Sequence, residues 1–200
     1  MCSSRIHSAT LSLRRRWKCV TDASIEVADH YGWEIVSPKL KGDQGLREIR
    51  RVLTAVQKMK GRVGESCGHH VHVDAESLSF QDIKRIAQGY LVYEQAFDLM
   101  QPVSRQLDEN KYLRSNKTGA EDQEKGTKPE QRTLRAILAL EKCTEIVDLV
   151  DVINPKEYEP GIEAGPERLD RQRYYKLNLT NLVKLGNPET DRPFTTIEFR

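Results

Sequence analysis

Ser66-Cys67-Gly68-His69-His70-Val71-His72-Val73-Asp74 sets three histidines and an aspartate within six residues, in a chain that holds only five histidines. Alternate residues of an extended strand point the same way, so His70, His72 and Asp74 share one face while His69, Val71 and Val73 share the other. One face carries chemistry and the other is mostly apolar. Gly68 at its entrance allows an unusual backbone angle or the close approach of another group. A lone histidine on a strand is most often structural; this density points to a site.

Working outward, the remaining elements are read from periodicity. On the N-terminal side, Trp17 to Ile25 is an extended piece turning through Asp22-Ala23-Ser24, and Gly32 to Ser37 is a second strand ended by Pro38, together a hairpin. Leu46, Ile49, Val52, Leu53, Val56 and Met59 recur at three- and four-residue steps and predict an amphipathic helix, preceded by Gly45 and stopped by Gly61. On the C-terminal side, Ser79 and Asp82 cap a helix that carries Ile83, Ile86, Ala87, Tyr90, Leu91, Glu94, Phe97 and Met100 to a stop at Pro102. A third helix is expected from Glu130 to Val150. Polar loops are expected at about 103–129, read as an insertion, and at about 154–172. Tyr174 to Leu179 and Thr195 to Arg200 are two further strands, adjacent and antiparallel, joined by a turn containing Gly186, Asn187 and Pro188. The sum is an α+β fold, mostly an antiparallel sheet lining a cleft and backed by about three main helices.

The 200 residues are enough for one domain with a sizeable core, expected over about 17–200. Lys and Arg number 32 against 30 Asp and Glu, too balanced a charge to imply nucleic acid or an anionic membrane as a partner. Arg14-Arg15-Arg16 with Lys18 reads as a solvated surface run. Four scattered cysteines without a CxxC pair indicate neither a zinc knuckle nor a disulfide framework. No apolar run approaches the roughly 20 residues of a membrane span, and Met1 to Lys18 lacks a signal-peptide core. The expectation is a soluble, cytoplasmic protein.

The strand faces present Glu34, then His70, His72 and Asp74, then Asn178, then Glu198 with Arg200. If these strands are neighbours in one sheet, their polar groups line one surface. Carboxylates with imidazole suit Mg²⁺ or Mn²⁺ bridging phosphate oxygens. Arg200 is the informative residue: a cation beside a metal is repelled unless an anion lies between, and its fork matches phosphate. This favours phosphoryl chemistry. Two other readings stay open, a zinc hydrolase using His70 and His72 and a non-catalytic binding domain.

Asp22-Ala23-Ser24, Glu34-Ile35-Val36-Ser37-Pro38, Cys67 to Asp74, Ser104-Arg105 and Thr196-Ile197-Glu198-Phe199-Arg200 occur in an order and spacing that resembles the amidoligase family, one of the carboxylate-amine ligases of the glutamine synthetase and glutamate-cysteine ligase fold. The resemblance runs from about Trp17 to Arg200. It implies an ATP-dependent ligase that activates a small-molecule or peptide carboxylate as an acyl phosphate and transfers it to an amine. On the matching positions it implies Glu34 and Glu198 as Mg²⁺ ligands, with His70 and His72 as metal or phosphate contacts. Arg200 stabilises the moving phosphoryl group, Arg105 holds a carboxylate or phosphate, Asn178 helps bind the nucleotide, and Asp22 joins the catalytic candidates. Such domains open on a Glu-x-Glu strand and continue past the last arginine strand, so this chain is expected to be truncated at both ends.

Overall fold

β1 (Lys18–Asp22) and β2 (Gly32–Val36) form the expected antiparallel hairpin, with Val20 opposite Glu34 and Asp22 opposite Gly32. Asp22 Oδ1 accepts from the Ser24 N–H at 2.8 Å and from its hydroxyl at 2.7 Å, the side-chain turn that aspartate favours. A β-carbon at Gly32 would collide with the Ile25 side chain, which accounts for glycine there. The computed structural model describes residues 16–27, 32–106, 113–117, 128–155, 173–183 and 195–200. Arg14, Arg15, the turn at Gly186 to Pro188, and most of both expected polar loops lie outside the described residues.

Two compact units make up the chain, Met1–Cys67 and Gly68–Arg200. In the first, α1 (Gly42–Lys58) begins three residues before the expected Gly45 boundary. Gly45 lies inside the helix because its missing side chain lets Leu40 pack against it; a β-carbon would stand 2.8 Å from Leu40 Cβ. Only Gly45 of α1 is buried, and Leu46 and Leu53 are more than 60% exposed. The helix ends shortly before the expected glycine. Lys60 takes the left-handed conformation (φ 58°), its N–H donating to Gln57 O while Gly61 N–H donates to Val56 O. These two bonds satisfy the last carbonyls in the usual C-terminal pattern, with lysine where glycine is favoured.

The second unit is built on a sheet of order β3-β5-β4, with β3 (Val71–Asp74) and β4 (Leu177–Asn178) both antiparallel to the central β5 (Thr196–Phe199). The single sheet expected to carry all the polar faces is therefore two sheets. β1 and β2 satisfy each other over five residues, and β3 takes its partner from the end of the chain. Antiparallel pairing of the last two strands is as expected.

Helices cover the apolar face of β4 and β5, while Val71 and Val73 of β3 stay exposed. α2 (Phe80–Asp98) starts at a reciprocal cap in which Ser79 and Asp82 satisfy each other's backbone N–H groups, as the sequence predicts. Such a cap contributes about 1 kcal/mol. α3 (Val103–Gln106) is a single turn after Pro102. The expected third helix is two: α4 (Pro129–Lys142) and α5 (Ile146–Ile153). The break is made by Asp148, whose Oδ2 accepts from the N–H groups of Thr144 and Glu145 and so starts a new helix inside an unbroken apolar period. Leu91, Leu140, Leu149, Ile153, Leu177, Leu179 and Ile197 are almost wholly excluded from water where α2, α4, α5 and the sheet meet. Tyr90, Phe97 and Phe199 extend this core as a ring cluster, with centroids 5.2–6.4 Å apart.

Within the expected 103–129 loop, residues 113–117 pack into the core. Leu113, Ser115 and Asn116 are buried. Asn116 donates to Ile153 O and Leu177 O and accepts from Leu177 N–H, each at 2.8 Å. Asn154 donates to Leu177 O and accepts from Leu179 N–H. Two asparagines thus stand in for a neighbouring strand along β4. No helix among the described residues is long and apolar enough to cross a membrane.

Candidate functional site

The register of the sheet dictates the site. His72 on β3 and Asn178 on β4 both lie directly across from Glu198 on β5, so the three form one row on the face away from the helices. His70 and Arg200 are each two residues from that row and share its face by the two-residue period. Glu198, only 4% exposed, is the centre. Its Oε2 accepts from Asn178 Nδ2 at 2.7 Å and from Arg200 Nη2 at 3.2 Å, while Oε1 lies 3.0 Å from Arg200 Nε, 3.3 Å from His70 Nδ1 and 3.6 Å from His72 Nε2.

The surroundings orient these groups. Asn178 Oδ1 accepts from the N–H and hydroxyl of Thr180, so its amide hydrogens are left to point at Glu198. His72 Nδ1 is 3.3 Å from Thr196 Oγ1, which turns Nε2 toward the carboxylate. Gly68 serves by having no side chain: a β-carbon there would sit 2.8 Å from His70 Nε2, in the space the imidazole uses. Arg200 also lies over the Tyr174 ring at 5.9 Å, a cation–π contact. Arg105, buried on α3, is near enough for its charge to act on His70.

Electrostatics follow from this packing. Burial raises the Glu198 pKa, but the Arg200 charge and the hydrogen bonds from Asn178 and Arg200 outweigh it, leaving the carboxyl below the ordinary glutamate range. The His70 side chain keeps 40% of its surface exposed; loss of solvent on its remaining faces first, and then the Arg200 guanidinium, move its pKa down to about 4, against the upward pull of Glu198. The Arg200 guanidinium therefore meets the Glu198 carboxylate and a neutral His70 imidazole at neutral pH. Its flat, donor-rich face suits an anion.

A titration tests this balance. Folding lowers the His70 pKa below its ordinary 6.5, so the unfolded chain binds that proton more readily as pH falls from 6.5 toward 4. The His70 contribution to stability is complete above pH 6.5 and is lost progressively down to about 4. NMR titration of the imidazole, assigned with His70→Gln, is expected to give a midpoint near 4. A midpoint near 6.5 would mean that the ring stands in water away from Arg200.

Of the expected site residues, His70, His72, Asn178 and Arg200 gather around Glu198, and Arg105 lies in the same unit, where its charge acts on His70. Asp74 instead closes the turn after β3, accepting from Glu76 N–H at 3.2 Å. Asp22 and Glu34 belong to the first unit, where Asp22 forms the hairpin turn and Glu34 is an exposed mid-strand residue of β2. Among the described residues, no group of three or more His, Cys, Asp or Glu side chains is set out to hold a metal ion. Two further residues, Lys176 and Tyr174, adjoin the site; the two-residue period sets them in phase with Asn178, but nothing in it marks their burial or their partners. Lys176 looks like one more polar position of an alternating strand, yet it is 2% exposed.

Comparison with known proteins gives one result. The family model described as "Putative amidoligase enzyme" matches residues 3–200. No curated protein and no solved structure matches the chain.

Proposed function

Because the chain belongs to the amidoligase family, we propose that it joins a carboxylate to an amine at the expense of ATP, through an acyl phosphate. The observation that carries this reading is the Arg200 guanidinium held against the buried Glu198 carboxylate, with Nη2 donating to Oε2 at 3.2 Å and Nε standing 3.0 Å from Oε1. An arginine pinned by a carboxylate has its guanidinium plane fixed in advance, which is what stabilisation of a transferring phosphoryl group requires. In the first step a substrate carboxylate oxygen attacks the γ-phosphorus and the bond to ADP breaks. In the second the amine attacks the acyl carbon, phosphate departs with the bonding pair, and the amine proton passes to water or a base. Arg200 and Arg105 hold the phosphoryl oxygens in both.

Mg²⁺ fits this chemistry with few protein ligands. Among the described residues, Glu198 offers the carboxylate of the cluster, with His70 and His72 beside the same oxygen. An ion there would take most of its ligands from phosphate and water, the usual Mg²⁺ arrangement at nucleotide sites. Bound with the nucleotide, it would neutralise charge on the transferred phosphoryl group. Small molecules or peptides are the expected substrates.

Thermal unfolding with ATP and Mg²⁺ tests the reading. A nucleotide at about 100 times its Kd adds about 2.7 kcal/mol, and this gain should need Mg²⁺ and vanish in Glu198→Gln. Hydroxylamine, which traps acyl phosphates as hydroxamates, then identifies the carboxylate. Indifference of the wild-type protein to Mg-nucleotide would sink the ligase reading. A Zn²⁺ response lost in His70→Ala would favour a histidine-based hydrolase in its place.

A further inference from the structure

We propose that Lys176 is the positioning residue of the anion site, setting the spacing between Arg200 and Arg105, with Asp98 and Glu94 holding it in place. The proposal rests on the phosphate-binding reading above. Lys176 Nζ is 2.8 Å from Asp98 Oδ2, 3.4 Å from Gln106 O and 3.9 Å from Glu94 Oε1, and its side chain is 3% exposed. The Gln106 carbonyl ends α3, the turn that carries Arg105. From its main chain, Lys176 O accepts from Arg200 N–H at 2.8 Å and Lys176 N–H donates to Arg114 O at 3.0 Å. One residue thereby holds the backbone of one site arginine and the helical turn of the other. Both holds are anchored to the C-terminal half of α2.

Stability alone is a poor reason for such a group. A buried ion cluster costs several kcal/mol of desolvation per charge, and apolar replacements of the whole set are often neutral or stabilising. Burial pushes the Glu94 carboxyl above the ordinary glutamate range in spite of its Ser115 hydrogen bond and the nearby Lys176, so the site holds this group against its preference for water. What the cluster does supply is direction: three strongly polar groups lock together in few geometries, and they lock the elements that bear Arg105 and Arg200.

The test compares phosphate affinity with stability. Lys176→Met combined with Asp98→Asn and Glu94→Gln removes the three ionisable groups of the cluster together. Inorganic phosphate binding is measured by ³¹P NMR well below the unfolding midpoint, with the folded fraction checked by circular dichroism. The expected result is an affinity loss of about tenfold or more with the protein still folded, since a displacement of about 1 Å is costly at a preorganised site. Asp98→Asn alone, which keeps an acceptor for Lys176, should lose less, and it decides the matter if the triple variant does not fold. A merely structural cluster would lower the midpoint and leave the affinity of the folded protein unchanged, which overturns the proposal. Arg200→Lys is the control: if wild type and Arg200→Lys bind phosphate equally, the anion site itself is misassigned and the proposal falls with it.

Discussion

Asn116→Ala should destabilise the Gly68–Arg200 unit by about 3–4 kcal/mol, the largest stability effect expected of any polar residue outside the site. The substitution removes three hydrogen bonds at 2.8 Å from a residue that is 2% exposed. Leu177 O keeps its bond from Asn154, but Leu177 N–H loses the acceptor that Asn116 supplied and stays buried. An orphaned buried donor costs about 1–3 kcal/mol beyond the net worth of the lost bonds. Asn116→Asp separates shape from chemistry. It keeps the acceptor for Leu177 N–H but turns a carboxylate toward the carbonyls of Ile153 and Leu177, so it should be at least as damaging. Urea unfolding followed by circular dichroism measures both; a loss below about 1 kcal/mol in Asn116→Ala would show that water replaces the side chain there.

Arg200→Lys should cut turnover by about 10²–10³-fold while leaving the fold intact, because lysine keeps the charge and loses the fork. In the structure Arg200 donates to Glu198 through Nη2, keeps Nε 3.0 Å from the same carboxylate without a hydrogen bond to it, and lies over Tyr174, and a single ammonium reproduces neither this flat placement nor the ring contact. Hydroxamate formation with the best carboxylate found is the readout for kcat, with unfolding midpoints as the control. Activity within about threefold of wild type would mean that charge alone suffices, and that the fixed plane of Arg200 is not what acts on the phosphoryl group.

How far the sequence alone leads depends on whether a feature is periodic. The His70 and His72 face, and the shared face of Glu198 and Arg200, follow from a period of two and are legible in the residue order itself. Ser79 with Asp82 announces its own cap. Glu94 reads as part of the apolar period of α2, and it does face inward; its partner Lys176, far along the chain, leaves no local trace. The break between α4 and α5 is hidden for a related reason, since the apolar spacing runs through it and only the reach of Asp148 back to Thr144 and Glu145 restarts the helix. Asn116 sits in a polar stretch that reads as solvated loop, because burial of an amide is decided by backbone groups supplied from α5 and β4. The proximity of Arg105 to the site is implied by the resemblance of its Ser-Arg motif and not by spacing.

The asparagine pair on β4 also bears on how copies of this protein meet one another. A two-residue strand at the side of a small sheet ordinarily offers free backbone groups on which a second chain can add a strand. Here the N–H and C=O of Leu177 and the N–H of Leu179 already belong to Asn116 and Asn154. An incoming strand would have to expel two buried side chains before making its first ladder bond. On the β4 side, sheet-to-sheet association and strand exchange are closed off by the same amides that complete the fold.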